Sequence, residues 1–433
     1  MILKSLTVEQ YRGFTNRTTL EFDTPFTAIV GENGVGKTSV LWALRVLFSQ
    51  LLSHFGKNPA SNLRFQTDDI AVGWPYLRAE ATVILQREDE ATTTCYAQKN
   101  AADFVPNTID DGRPREQAVD TPDHYQVAYD SSAPLRVRRK TPPALAVYYS
   151  AHRSLALERG PSNARASKGI RAAYAEALED RELRLREAAL LWRKEEALEE
   201  TDGLPARANR AIEKALPVFL GEFRNLRVEG EDKPRLVVDK RSTKLDLSLL
   251  SDGERGLLAV LMDLTRRLSQ ANPELEDPAR DGQAIVLIDE LDLHMHPRWQ
   301  RQIASQLTET FPNCQFISTT HSPQIISEVQ PESLLLLRFN GDRIIPERCG
   351  QAYGLDVNYV LEHIMGTAPR PEPATQAIHA VEDALETGDL DTARSELQKL
   401  RELLHGDDPV VVGLEATINN LEALGDATDS EEE

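Results

Sequence analysis

The sequence predicts an α/β fold: a P-loop head with an antiparallel β layer, a helical insertion and a C-terminal helical segment. Three observations point to it. An apolar strand runs into a glycine-rich loop at Gly31–Thr38, and a helix opens from that loop. A second, wholly apolar segment, Ala284–Ile288, ends on two carboxylates. After Arg370-Pro371-Glu372-Pro373 the pattern becomes purely helical. The length, 433 residues, leaves room for two or three domains. With 41% hydrophobic and 27% charged residues the chain can bury a sizeable core, which excludes a wholly disordered protein.

The elements follow in order. Strand-like segments Ile2–Glu9, Thr18–Phe22 and Phe26–Val30 are separated by the turn residues Gly13, Asn16 and Pro25. A helix is expected from Lys37 to His54, with Val40, Leu41, Ala43, Leu44 and Leu47 at helical spacing. From Lys57 to Pro143, short strands (Ala79–Leu85, Tyr125–Tyr129) read as an antiparallel layer, with a poorly ordered stretch near Asp103–Asp123. Leu145–Tyr149 is a compact strand. Residues 169–200 read as one long helix and Ala206–Phe219 as another. Strand patterns return at Leu226–Val228, Arg235–Val238 and Leu245–Leu247, a helix follows Ser251, and Phe316–Ser318 is a buried strand. Three helices near 374–386, 391–405 and 409–424 precede a frayed acidic tail from Asp426. The expected domains are an N-terminal lobe at 1–164, a helical insertion at 165–222, a C-terminal lobe at 223–368 and a helical domain with its tail at 369–433.

Charge bounds the partners. The 49 Lys and Arg against 69 Asp and Glu leave −20, which repels bare nucleic acid. The basic run Arg136, Arg138, Arg139, Lys140 reads as a solvated loop. No uncharged apolar stretch of about 18 residues occurs, so no transmembrane helix and no membrane partner are expected. The N-terminus lacks a leader pattern. Cys95, Cys314 and Cys349 form neither a disulfide framework nor a metal pair, which fits a reducing cytoplasm.

Four motifs carry chemistry. Gly31–Thr38 fits GxxxxGK[ST] in the strand–loop–helix context that this loop requires. Glycines let backbone N–H groups wrap phosphates, and the helix N-terminus adds positive potential. Gly31, Asn33, Gly34, Gly36 and Ser39 line this cradle; Lys37 reaches the β- and γ-phosphates, and Thr38 ligates Mg²⁺. Asp289, at the end of the apolar strand, holds the same Mg²⁺, and Glu290 is the general base on the attacking water. His321, after the strand ending at Ser318, hydrogen-bonds the γ-phosphate or that water. Ser251 and Gly253 open a helix, another anion site, and Ser251 with Glu254 also makes a plain capping box. His294 and His296 stand two apart before Pro297 and fit a turn better than a metal pair.

Taken together, Tyr11-Arg12-Gly13-Phe14, the phosphate loop, LSDGE from Leu250 to Glu254, IDELDLHMHPRWQ from Ile288 to Gln300 and STTHSPQII from Ser318 to Ile326 resemble the RecF/SMC/OLD-type branch of ABC ATPases. More narrowly, SDGERGLLAVLMDLTRRL, FPNCQFISTTHSPQIISEV and GDLDTARSELQKL resemble the PtuA family of Septu and retron-associated anti-phage systems. The resemblance implies ATP and Mg²⁺ as cofactors. It implies that Ser251, Gly253 and Glu254 meet the γ-phosphate held by a second copy. Asp292 would reach across the resulting homodimer or larger homo-oligomer, and Arg12 would lie close to the nucleotide. It also implies a slow, regulatory ATPase in the cytoplasm that controls an HNH-type, PtuB-like nuclease, with nucleic acid engaged through that partner. Two alternatives stand beside it: a RecF-like ATP-dependent DNA-binding repair ATPase, and a non-catalytic ATP-binding scaffold. Two departures matter. Gly366-Thr367-Ala368-Pro369-Arg370 stands where the resemblance implies a charged linker before the helical tail. The other concerns the loop after Leu145–Tyr149. The branch carries a Mg²⁺-sensing glutamine after the strand read at Leu145–Tyr149, whereas this chain has Ser150-Ala151-His152-Arg153 and leaves His152 or a neighbour to substitute.

Overall fold

A computed structural model describes residues 1–55, 63–84, 92–101, 116–121, 125–131, 145–153, 155–156, 170–180, 183–202, 207–341, 343–406 and 408–429. They fall into two compact units, Met1–Asp356 and Val357–Glu433. The sequence boundary at 369 lies inside the second. The basic run at 136–140 lies outside the described residues, as do residues 430–433 of the acidic tail.

The chain opens with β1 (Ile2–Glu9) and β2 (Thr18–Glu21), joined by a tight turn in which Tyr11 and Phe14 exchange backbone hydrogen bonds. Next come β3 (Phe26–Gly31) and α1 (Lys37–Phe55). β4 (Tyr76–Ile84), β5 (Thr92–Asn100), β6 (Glu116–Thr121) and β7 (Tyr125–Ser131) extend the first hairpin into an antiparallel sheet of order β2-β1-β4-β5-β7-β6. β6 forms within the stretch expected to be poorly ordered; residues 102–115 and 122–124 lie outside the described residues. After β8 (Ala146–Tyr149) come β9 (Leu155–Ala156), α2 (Ile170–Tyr174), β10 (Leu183–Arg184), α3 (Leu185–Asp202) and α4 (Arg207–Phe219).

The single long helix expected over 169–200 is broken in two. Helix propensity supports it throughout, but tertiary hydrogen bonds win between α2 and α3. Arg267 donates to the carbonyls of Ala173 and Ala175, the Tyr148 N–H to Ala177, and Arg45 to Leu178. These bonds leave the carbonyls no longer available to a helix ladder, and Glu176 turns the chain with φ +53°.

A three-stranded antiparallel sheet of β11 (Phe223–Glu229), β12 (Arg235–Lys240) and β13 (Thr243–Asp246) leads into α5 (Asp252–Ala271) and α6 (Pro278–Asp281). Then follow β14 (Ile285–Ile288), α7 (Pro297–Gln300), α8 (Ile303–Thr310), β15 (Gln315–Thr319) and α9 (Pro323–Ile326). β16 (Leu334–Asn340) and β17 (Arg343–Arg348) form a hairpin that the sequence reading did not assign. The second sheet has the order β17-β16-β3-β15-β14-β8; all but β17 are parallel. Its inner strands are buried along their length without alternation because both faces are covered.

The core explains why the head is α/β. α1 lies between the two sheets: Leu44, Leu47 and Phe48 pack in one cluster with Leu6, Leu77 and Val83 from the antiparallel sheet and Ile29, Leu287 and Ile317 from the parallel one. With protein on both sides, this helix is apolar nearly all round rather than striped.

The second unit contains α10 (Val357–Tyr359), α11 (Glu372–Glu386), α12 (Leu390–Leu404) and α13 (Pro409–Asp429). Its own core is Val381, Ala384, Ala393, Leu397, Leu400, Val411 and Ile418. Asp389 caps α12 by accepting from the Thr392 N–H, and Arg370 makes two hydrogen bonds to Asp408. From Val357 onward the chain carries 18 acidic and 4 basic residues, so −14 of the net −20 sits on this unit.

Candidate nucleotide site

In a parallel sheet the loops after the C-terminal strand ends share one edge, which is where α/β folds bind ligands. Here the loops after β3, β15, β14 and β8 are neighbours along that edge and carry most of the residues singled out from sequence.

The loop after β3 turns at Gly31, where a Cβ would stand 2.3 Å from the Leu337 carbonyl oxygen of β16; only glycine lets the strands approach so closely. Gly34 and Gly36 also have positive φ, while Asn33 and Thr38 are exposed at the loop surface. Lys37 is buried, and its Nζ donates to the carbonyls of Gly31 and Glu32 at 2.8 Å each. Burial lowers its pKa, while Asp289, Glu290 and Asp292 pull the other way. The ammonium is thus held inside the loop by acceptors that phosphate oxygens can replace.

Thr38 Oγ1 lies 3.2 Å from Asp289 Oδ1, which also accepts from Thr319 Oγ1 at 2.6 Å. A hydroxyl and a carboxylate side by side at the rim of a phosphate loop are hard oxygen donors of the kind Mg²⁺ takes beside substrate phosphates, so the residues present fit that ion.

Glu290 is exposed and has φ +47°, a left-handed conformation that costs a non-glycine residue about 1–2 kcal/mol. Its N–H donates to Thr319 Oγ1 at 2.7 Å. On the other side Arg153, buried, donates to three successive carbonyls: Asp289 at 2.7 Å, Glu290 at 2.9 Å and Leu291 at 2.9 Å. Burial pushes the Arg153 pKa down to about 10, opposed by Asp292, Asp289 and Glu290, so it stays charged at neutral pH. Of the two residues that end the loop where a glutamine was expected, His152 is exposed, its N–H donating to Ser150 Oγ, while its neighbour Arg153 is the one turned inward.

Asp292 accepts from Thr320 Oγ1 at 2.6 Å and from the His321 N–H at 3.2 Å, so its carboxylate caps the segment after β15 within the chain. Burial and then the Lys37 charge lower the His321 pKa, which favours a neutral imidazole able to accept a hydrogen bond. Arg12, also left-handed at φ +48°, is fixed by Asp69 at 2.9 Å and reaches Ser39 Oγ at 3.2 Å, beside Thr38.

Ser251, Gly253 and Glu254 form a second cluster. Ser251 is the N-cap of α5 and makes a reciprocal capping box with Glu254. Lys240 of β12 bonds the same carboxylate. A Cβ on Gly253 would sit 2.3 Å from the His294 carbonyl oxygen, so the start of α5 is seated on the turn after β14. His296 caps α7, its Nδ1 accepting from the Arg298 N–H.

Thr319 and Thr320 were given no role from sequence, and Arg153 entered only as an unspecified neighbour of His152. Thr319 and Thr320 lay inside a motif read only for its histidine. Arg153 follows an apolar strand parallel to β14, the one available signal that it shares the edge.

Residues 26–327 match the family profile described as "AAA domain, putative AbiEii toxin, Type IV TA system". Homologues include retron ATPases and Septu PtuA proteins. "Retron Ec83 probable ATPase" of Escherichia coli is 41% identical over 160 residues, 37% of this chain and 29% of that one. "Septu protein PtuA" of Bacillus thuringiensis is 25% identical over 182 residues, 40% of this chain and 46% of that one. The matched segments thus span less than half the length of these relatives. Among solved structures, the SmcHead bound to the C-winged helix domain of ScpA is 13% identical, with TM-score 0.49 over 81% of this chain and 98% of that one.

Proposed function

The chain belongs to this AAA-domain ATPase family, and from that membership we propose that it hydrolyses ATP slowly, in the cytoplasm, as the regulatory subunit of an anti-phage defence system. The observation that supports this most directly is the convergence of Lys37, Thr38, Asp289, Glu290 and His321 on one sheet edge.

ATP phosphates enter the loop by replacing the Gly31 and Glu32 carbonyls on Lys37 Nζ. Thr38 and Asp289 would hold Mg²⁺, which when bound neutralises charge on the phosphate oxygens. Glu290 takes a proton from the attacking water; the products are ADP and phosphate. His321 accepts a hydrogen bond from that water or orients it against the γ-phosphate. Arg12, through its place beside Ser39, adds positive charge at the rim. Ser251, Gly253 and Glu254 of a second copy close over the terminal phosphate, so ATP holds two chains together. The controlled partner is an HNH-type, PtuB-like nuclease through which nucleic acid is engaged, consistent with the retron and PtuA relatives.

Lys37→Ala removes the only side-chain cation in the loop and abolishes nucleotide binding by titration calorimetry. Glu290→Gln keeps binding and loses turnover by a factor of about 100 or more. Turnover by Glu290→Gln at the wild-type rate would show that another group is the base.

A further inference from the structure

We propose that Arg153 is a positioning residue for ATP hydrolysis: it holds the turn after β14 in the left-handed conformation that presents Glu290 to water. This rests on Glu290 being the general base.

The geometry is specific. One buried guanidinium receives three consecutive carbonyls, those of Asp289, Glu290 and Leu291. In an extended strand the carbonyls of adjacent residues point to opposite sides; here three in a row converge on one group, and the middle residue is Glu290 at φ +47°. The opposite side of the turn is tied to the other flanking strands. The Asp289 N–H donates to the Tyr149 carbonyl at the end of β8, and the Leu291 N–H donates to Thr319 in β15. The Glu290 peptide is therefore fixed between two strands, with Arg153 filling the inner side. A fork of planar donors can meet three carbonyls at once; a lysine offers a single point and cannot. Among the described residues Arg153 makes no hydrogen bond to the phosphate loop or Lys37, so its action passes through the backbone of Glu290. The chain lacks the glutamine expected after β8, and this arginine is what the same loop sends inward instead.

The test is a double-mutant cycle in the full chain. ATP turnover and ATP affinity are measured for wild type, Arg153→Ala, Arg153→Lys, Glu290→Gln and the double variant Arg153→Ala/Glu290→Gln. Arg153→Ala is expected to lower kcat by about 100-fold, the penalty of misplacing a reacting group by about 1 Å, with ATP affinity changed by less than about threefold. Arg153→Lys should fall between, and the double variant should turn over no more slowly than Glu290→Gln alone. Thermal melting identifies any variant that fails to fold; Arg153→Lys keeps the charge and serves if Arg153→Ala does not. An undiminished kcat in a folded Arg153 variant overturns the proposal, as does a loss that persists in the Glu290→Gln background or an affinity that falls in step with kcat. Absence of ATP turnover in the wild type would instead defeat the functional reading itself.

Discussion

Glu254 receives bonds from Lys240 and from both the N–H and hydroxyl of Ser251. Burial alone would raise its carboxyl pKa, but these donors outweigh it and hold the pKa below the ordinary 4.5. The folded chain therefore takes up this proton less readily than the unfolded one. The resulting stabilisation is present above pH 4.5 and is lost as the pH falls through the lower folded value. Glu254→Gln should cost about 1 kcal/mol near neutral pH, as loss of a helix cap does, with the cost shrinking in acid. Urea midpoints of both chains across that range check it, and a cost that does not change with pH would mean the carboxylate charge is irrelevant. At this scale much of the site was legible, because a phosphate loop and a strand ending in carboxylates have local signatures. Arg153 was not, because the turn carbonyls it binds lie 136 to 138 residues away in sequence, and a carbonyl is a group that every residue has.

The start of α5 is packed against the turn after β14 so closely that no side chain fits at Gly253. Gly253 faces the carbonyl of His294, a residue itself at φ +60°. Gly253→Ala must displace backbone rather than a flexible side chain, and should destabilise the head by about 1–3 kcal/mol. Chemical denaturation tests this; a neutral result would show that the turn yields freely. Periodicity found α1, α4, α5 and the helices of the second unit because each buries a recognisable set of apolar positions. It failed between α2 and α3, where Arg45, Arg267 and Tyr148 take the hydrogen bonds a helix would need. It also passed over β16–β17, whose four leucines, Leu334–Leu337, carry no period with which to choose strand over helix.

On the scale of the whole molecule, the net charge is segregated. The first unit holds −6 of the −20, spread over Met1–Asp356, so the overall acidity that argued against nucleic acid belongs mainly to the second unit. The charge of the head does not by itself exclude a nucleic-acid partner. Among the described residues no helix is long and apolar enough to cross a membrane. If nucleotide is shared between copies, Glu290→Gln with ATP and Mg²⁺ should about double its mass in light scattering, and Lys37→Ala should not change. An unchanged mass for the trapped variant at saturating ATP would remove the shared site.

Because α1 has a sheet on either side, it cannot tilt or slide to meet an incoming nucleotide without opening the buried core of the head. Adaptation to occupancy is therefore left to the loops at the rim. Amide protons in the middle of α1 should be among the slowest to exchange, with or without nucleotide, while those of Glu32–Gly36 record its arrival.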